Sequence, residues 1–356
     1  MSGTADEVLG LLRAWDGEDP LVVRTSGSTG AAKDVVLSRA AMAASATATY
    51  ARLGGPGQWL LNLPATYVAG LQVLFRSVLA GTEPVVQDGA FADAAARLTA
   101  DCRYVSLVPT QLVRMLATPA DREALAGFDA VLVGGARVDP DLRRQAGAAG
   151  VRVVASYGMS ETCGGCVYDG VPLDGVAVAL GADGRVRIAG PVLFERYDGQ
   201  PELTDRVRRD GWFHTQDVGR LDEDGRLEVL GRVDDVLVSG GVNVPAPAVA
   251  DRLRRHPGVH EAEVVGVPDP EWGDRVVAVV VGTLSLAEAR DWVAEAHPRS
   301  WAPRDLVAVE AIPMLPHGKP DRVALRRLVA GRVTPAGSPH LPSGLSTPPE
   351  RALHDG

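Results

Sequence analysis

The chain has 356 residues, 46% of them hydrophobic and 23% charged, which is enough apolar material for a sizeable core and too much length for one small domain. Its net charge of −9 excludes the basic field that a nucleic-acid-binding surface needs, and three cysteines (Cys102, Cys163, Cys166) are too few for a disulfide framework. The first ten residues hold acids and no Lys or Arg, and the longest purely apolar runs, such as Val276 to Val281, are far below membrane-spanning length. A soluble cytoplasmic protein with no signal or transit peptide and no membrane span is expected.

In chain order, a short amphipathic start (Val8 to Trp15) leads to an apolar strand, Leu21 to Val23, then a Gly/Ser/Thr loop, then an Ala-rich helix from Arg39 to Arg52. Strand and helix patterns then alternate: Gln58 to Leu63 before Leu71 to Ala80, Pro84 to Gln87 before Phe91 to Ala100, and Tyr104 to Leu107 before Gln111 to Ala117. Two more follow, Ala130 to Val133 before Pro140 to Ala149 and Val151 to Ala155 before a loop at Ser156. This alternation predicts an α/β body with a mostly parallel sheet. After Leu173, valine alternations punctuated by Asp183-Gly184 and Asp224-Gly225 predict the hairpins of a β subdomain. From Asp234 the pattern is a compact α+β unit with a hairpin, helix Ala246 to Arg255, strands Glu263 to Val267 and Val276 to Val281, helix Leu286 to Ala296 and a last helix Asp321 to Ala330. The predicted bodies are therefore residues 1–233 and 234–332, with a Pro/Ser/Gly-rich tail over 333–356 that is expected to be disordered.

Four segments carry chemistry. Thr25-Ser26-Gly27-Ser28-Thr29-Gly30-Ala31-Ala32-Lys33 follows an apolar strand; its glycines admit phosphate oxygens, its hydroxyls donate hydrogen bonds and Lys33 adds charge, but it lacks the adjacent Gly-Lys of a Walker A loop. Ser156-Tyr157-Gly158-Met159-Ser160-Glu161-Thr162 ends a β run, where open α/β sheets bind ligands, and offers an aromatic face, hydroxyls and a carboxylate fit for Mg²⁺. Gly211 to Asp217 is followed by Gly231-Arg232-Val233-Asp234 and Ser239-Gly240-Gly241, with Asp217 suited to a ribose and Arg232 to ribose or phosphate. Gly318-Lys319-Pro320 places a lysine just before the last helix. The pair Cys163 and Cys166 has the spacing of a metal or redox motif, but no second pair completes it, and His256 and His260 flank a helix-breaking Pro257-Gly258; both are read as structural.

Together and in this order, the four segments resemble the adenylate-forming superfamily of acyl-CoA synthetases, luciferases and peptide-synthetase adenylation domains, over Leu21 to about Arg327. The stretches Leu63 to Gln72, Ser106 to Gln111 and Ser160 to Gly165 look most like the o-succinylbenzoate-CoA ligases of menaquinone synthesis. The resemblance implies two steps, from acid and ATP to an acyl-adenylate and from adenylate and coenzyme A to a thioester and AMP. It implies that Thr25 to Lys33 hold the β- and γ-phosphates, that Gly134, Gly135, Ala136 and Tyr157 frame adenine, and that Ser160 meets the α-phosphate. By the same resemblance Glu161 holds Mg²⁺, Asp217 and Arg232 bind ribose, and Lys319 bridges the acid carboxylate and α-phosphate. Asp234 is the implied hinge, and its rotation brings Gly240 and Gly241 to the pantetheine path. Tyr67, Gly70, Leu71 and Arg76 are the acid-pocket residues; Arg76 is open to two readings, a partner for a second carboxylate or a helix-surface arginine. The chain departs from the family at Ala32, where proline is usual, and at Tyr67, where many relatives have histidine. Its phosphate loop begins about twenty residues in, so an N-terminally reduced large body is expected. Another acyl- or aryl-CoA synthetase and a non-catalytic nucleotide-binding protein remain as alternatives, and the oligomeric state stays open.

Overall fold

The computed structural model describes residues 2–25, 33–314 and 320–332, and the chain divides into two compact units, Met1–Leu230 and Gly231–Gly356. In the first unit a seven-stranded sheet runs in the order Val85–Val86, Gln58–Leu61, Arg103–Leu107, Ala130–Val133, Val153–Met159, Gly164–Tyr168, Val171–Pro172. The first five strands are parallel and the last two antiparallel. Strands such as Gln58–Leu61 and Ala130–Val133 are buried at every position, as a sheet covered on both faces requires. Alternate residues feed two separate cores: Trp59, Leu61, Tyr104, Leu132 and Val154 on one face, and Leu60, Val105, Leu107, Val131 and Val153 on the other. The crossover helices start and stop where their sequences dictate. Pro109, Pro119 and Pro140 each open a helix, and Val68–Ala80 ends on Gly81, whose φ of 68° a side chain would disfavour.

The start of the chain corrects the sequence reading. Leu21–Thr25 does not open the parallel sheet; it pairs antiparallel with Lys33–Leu37, which in turn pairs with Arg196–Tyr197, as a separate three-stranded sheet. The order is strand, loop, strand, helix, because the β-branched Val35 and Val36 and then Leu37 form a fully buried run before Ser38 caps the helix Arg39–Leu53. Two further differences are the helix Pro119–Ala126 and the strand Val153–Met159, which continues through the expected loop at Ser156. The β subdomain is a five-stranded antiparallel sheet, with Gly184 and Gly225 at positive φ in its hairpin turns.

In the second unit the long hairpin Val259–Asp269/Gly273–Gly282 is flanked by Val236–Ser239 with Val242–Pro245 and by the parallel strand Asp305–Ala308. Helices Ala246–Arg254 and Leu286–Ala294 cover one face, and Arg322–Ala330 the other. Arg275 crosses this sheet to two acids, Asp269 at 3.2 Å and Asp305. Among the described residues no helix is long and apolar enough to cross a membrane.

Candidate active site

At the carboxyl end of Ala130–Val133 the chain turns through Gly134 and Gly135. The Gly134 amide donates to Leu107 O at 3.0 Å, and a Cβ on Gly134 would stand 3.3 Å from Ser156 O, so the two strand ends run close together. Ala136 follows in the same loop. Tyr157, on the neighbouring strand, donates its hydroxyl to Asp217 Oδ2 at 2.7 Å, and Asp217 is itself buried. Burial first, and then the Asp217 charge, push the Tyr157 phenol well above its ordinary pKa, so it stays protonated as a donor. The Asp217 amide donates to Thr215 Oγ1 at 3.0 Å, while the Thr215 hydroxyl reaches Val186 O at 2.8 Å.

The next turn presents Ser160 and Glu161. The Met159 amide donates to Thr162 Oγ1 at 2.9 Å, and the Thr162 hydroxyl lies 2.7 Å from Gly164 O. At Gly158 a Cβ would fall 2.0 Å from Gly164 O, so only glycine lets the returning strand pass. Glu161 then accepts a hydrogen bond at Oε1 from Tyr197 (2.8 Å), and its backbone oxygen accepts from Phe194 N at 2.8 Å. The Lys33 ammonium lies 5.1 Å above the same Tyr197 ring. Tyr197 was not found in the sequence; it enters because Arg196–Tyr197 pairs with Val36 and Val35, a long-range pairing with no local motif. A lone carboxylate beside a nucleotide's phosphates is the donor set Mg²⁺ accepts, and Glu161 keeps Oε2 outside the Tyr197 hydrogen bond.

The residues expected to line an acid pocket lie on or beside the helix Val68–Ala80. Tyr67, its N-cap, is half exposed, and a Cβ at Gly70 would sit 2.3 Å from Pro64 O, so that helix approaches its own entry loop as only glycine permits. Leu71 is buried. Arg76 is not on the helix surface: it is 3% exposed, its guanidinium lies 4.9 Å from the Trp59 ring, and its Nη2 donates to the Tyr168 hydroxyl at 3.5 Å. Arg76 Nε and Gln72 Oε1 are buried with no hydrogen-bond partner, and no carboxylate pairs with Arg76 among the described residues. Three phenols thus restrain charged groups in this unit, Tyr157 at Asp217, Tyr197 at Glu161 and Tyr168 at Arg76.

In the second unit Arg232 ends the strand Leu227–Arg232 and Asp234 occupies the 3₁₀ turn Val233–Asp235. Gly240 and Gly241 make the following hairpin at φ 58° and 75°; the Gly240 amide donates to Trp272 O, and a Cβ there would meet the Trp272 ring at 2.8 Å. Ser26, Gly27, Ser28, Thr29, Gly30 and Lys319 lie outside the described residues. The loop's ends are fixed, since Thr25 and Lys33 are ladder partners and the Lys33 amide donates to Thr25 Oγ1 at 3.4 Å. Cys163 and Cys166 are free and buried, and burial pushes Cys166 up to about 12, so neither is a thiolate; no group of three or more His, Cys, Asp and Glu side chains fit for a metal occurs among the described residues.

The AMP-binding enzyme profile matches residues 12–194, and the AMP-binding enzyme C-terminal domain profile matches residues 248–319. The chain is 45% identical over 343 residues to a probable 2-succinylbenzoate--CoA ligase of Mycobacterium tuberculosis (strain CDC 1551 / Oshkosh), covering 92% of this chain and 89% of that protein. It is 36% identical to the 2-succinylbenzoate--CoA ligase of Salmonella typhimurium, covering 76% of this chain and 60% of that enzyme. Among solved structures it superimposes on the o-succinylbenzoate CoA synthetase MenE of Bacillus subtilis in complex with the acyl-adenylate intermediate OSB-AMP, with a TM-score of 0.72, 27% identity, and coverage of 86% of this chain and 68% of that one. The amide bond synthetase McbA of Marinactinospora thermotolerans is similar too, with a TM-score of 0.73 and 29% identity over 86% of this chain and 68% of that one. With both profiles matched in order and a relative aligned over nine-tenths of its length, this chain belongs to the AMP-binding enzyme family.

Proposed function

We propose that this protein is an AMP-forming acid:CoA ligase that activates 2-succinylbenzoate with ATP and transfers it to coenzyme A, a step of menaquinone synthesis. The observation that carries the acid assignment is Arg76, a buried guanidinium with no protein acid opposite it. Leaving a charge buried and unpaired is costly, and a substrate with two carboxylates relieves that cost with the one that does not react. Leu71 and Gly70 line the same helix, and Tyr67 stands at its exposed start.

In this reading the acid's other carboxylate attacks the ATP α-phosphorus, bringing two anions together, so catalysis is chiefly charge stabilisation. Lys33 and the residues Thr25 to Gly30 hold the β- and γ-phosphates, and Ser160 meets the α-phosphate. Gly134, Gly135 and Ala136 frame adenine beside Tyr157, while Asp217 and Arg232 take the ribose hydroxyls. Mg²⁺ held by Glu161 supplies further neutralisation of the phosphates. Lys319 neutralises the attacking carboxylate and α-phosphate, and Asp234 is the hinge that turns the C-terminal unit for the thioester step, with Gly240 and Gly241 on the coenzyme A path. Lys319→Ala is therefore expected to slow adenylation by ~10² or more while sparing thioester formation from supplied adenylate.

The deciding experiment is pyrophosphate release with ATP, coenzyme A and a panel of carboxylic acids. Turnover confined to 2-succinylbenzoate supports the reading; turnover with simple aryl or fatty acids instead would reassign the acid, and silence with every acid would make the chain a nucleotide-binding protein.

A further inference from the structure

We propose that Tyr168 is the positioning residue of the acid pocket, holding the Arg76 guanidinium in place as a neutral acceptor so that its full charge is kept for the substrate's second carboxylate. This rests on the acid subsite proposed above. The proton order in the cluster is fixed by geometry. Thr49 has one hydroxyl proton, and Ser45 O takes it at 2.9 Å within the helix Arg39–Leu53. Thr49 Oγ1 is then an acceptor toward Tyr168, 3.0 Å away, and the phenol proton goes there. What Tyr168 turns to Arg76 Nη2 at 3.5 Å is a lone pair. Thr49 is fully buried and Tyr168 is 1% exposed, so water does not compete for these positions.

Two more contacts complete the restraint. The Trp59 ring centroid stands 4.9 Å from the guanidinium carbon, and the Tyr50 hydroxyl donates to the backbone oxygen of Arg76 itself. Among the described residues, every group that holds Arg76 is uncharged. A carboxylate in place of Tyr168 would hold the guanidinium more tightly but would neutralise it, and a second anion would then gain little. A phenol whose own proton is committed elsewhere gives direction without cancellation.

The test uses the full-length chain with ATP and coenzyme A. It measures KM and kcat for 2-succinylbenzoate, and inhibition constants for the two monoacids that each lack one of its carboxylates. Tyr168→Phe keeps the ring and is expected to raise KM about tenfold with kcat within about twofold. It should also weaken by about tenfold only the monoacid that retains the subsite carboxylate. Thr49→Val, which frees the phenol proton to turn toward Arg76, should give the same one-sided pattern at about threefold. Equal weakening of both monoacids, or of neither, overturns the proposal. Arg76→Met, or Arg76→Lys if the first does not fold, separates the two layers of the argument. If the Arg76 variant shows no one-sided loss, the acid subsite itself is misplaced. If it does and Tyr168→Phe does not, the subsite stands and Tyr168 only fills space.

Discussion

Two arginines, one in each unit, show opposite ways of placing a positive charge inside a protein. Arg275 in the C-terminal unit reaches two acids, and its pKa is held above the ordinary value first by the hydrogen bond to Asp305, against burial, and then by Asp269. Asp269 in turn accepts from the amides of Glu271 and Trp272 at 2.9 and 3.0 Å. That charge is spent on the fold. Arg76 in the N-terminal unit is more deeply buried and, among the described residues, is met by a tryptophan ring and phenols rather than by an acid. Glu161, in the same unit, likewise accepts a hydrogen bond from a tyrosine hydroxyl. A structural charge carries its counter-charge with it, whereas a charge restrained by neutral groups keeps its field for something that arrives.

The largest effect expected from this contrast is at Arg76 itself. Arg76→Met should weaken 2-succinylbenzoate by roughly 10² in KM, the scale of losing hydrogen bonds to a charged group, while the melting temperature without substrate stays level or rises, because a buried unpaired cation has gone. A clear loss of stability would show that Arg76 is structural after all. Next, Tyr197→Phe should raise the Mg²⁺ concentration for half-maximal adenylation by about tenfold, as for other groups that orient a metal's carboxylate; an unchanged requirement would leave Tyr197 as packing. Arg275→Met should do the reverse of Arg76→Met, lowering the melting temperature by about 2–4 °C with no change in acid preference, read by calorimetry and the acid panel.

The smallest effects are in pH. Burial raises the Tyr50 and Tyr104 phenols to about 12 each, so the neutral form is the one the fold favours. Their stabilisation is complete below about pH 10, the unfolded value, and is lost as the pH rises to about 12. At Asp269 burial acts upward, but the two backbone amides and Arg275 outweigh it and hold the carboxyl below its usual range. Its contribution is present above about pH 4 and is lost on further acidification. Unfolding followed separately in the two units should therefore fail first at alkaline pH in the N-terminal unit and first at acid pH in the C-terminal one. Asp269→Asn should remove the acid part.

Much of this contrast is invisible in one dimension. Tyr157, Glu161 and Asp217 stand out in the sequence because each sits in a short segment whose glycines and hydroxyls suggest a ligand, and Gly158 and Gly70 prove to be places where a Cβ would strike backbone oxygen. The parallel sheet was legible from its buried valine and leucine runs. Tyr197, Tyr168 and Thr49 were not, because each acts on a residue far along the chain: Tyr168 meets Thr49 across 119 positions and Arg76 across 92. The strand Lys33–Leu37 escaped notice for a different reason. It is five residues between a polar loop and an alanine-rich helix, and its partner strand lies before the loop. The burial of Arg76 could not be read either, since an arginine on an apolar helix face looks the same in sequence whether water or tryptophan lies beyond it.

The pairing of Thr25 with Lys33 has a use in experimental design. Both ends of the segment between them are clamped at one rung of a ladder whose inner residues Val23 and Val35 are fully buried. Chain length inserted between such clamps costs only about 0.6 kcal/mol for each doubling, since the closure is already made by the strands. Activity and folding are therefore separable at that point. Replacing residues 26–32 with an unrelated sequence of similar length should yield a protein inert toward ATP yet folded like the parent, a matched blank against which slow turnover by any other variant can be judged.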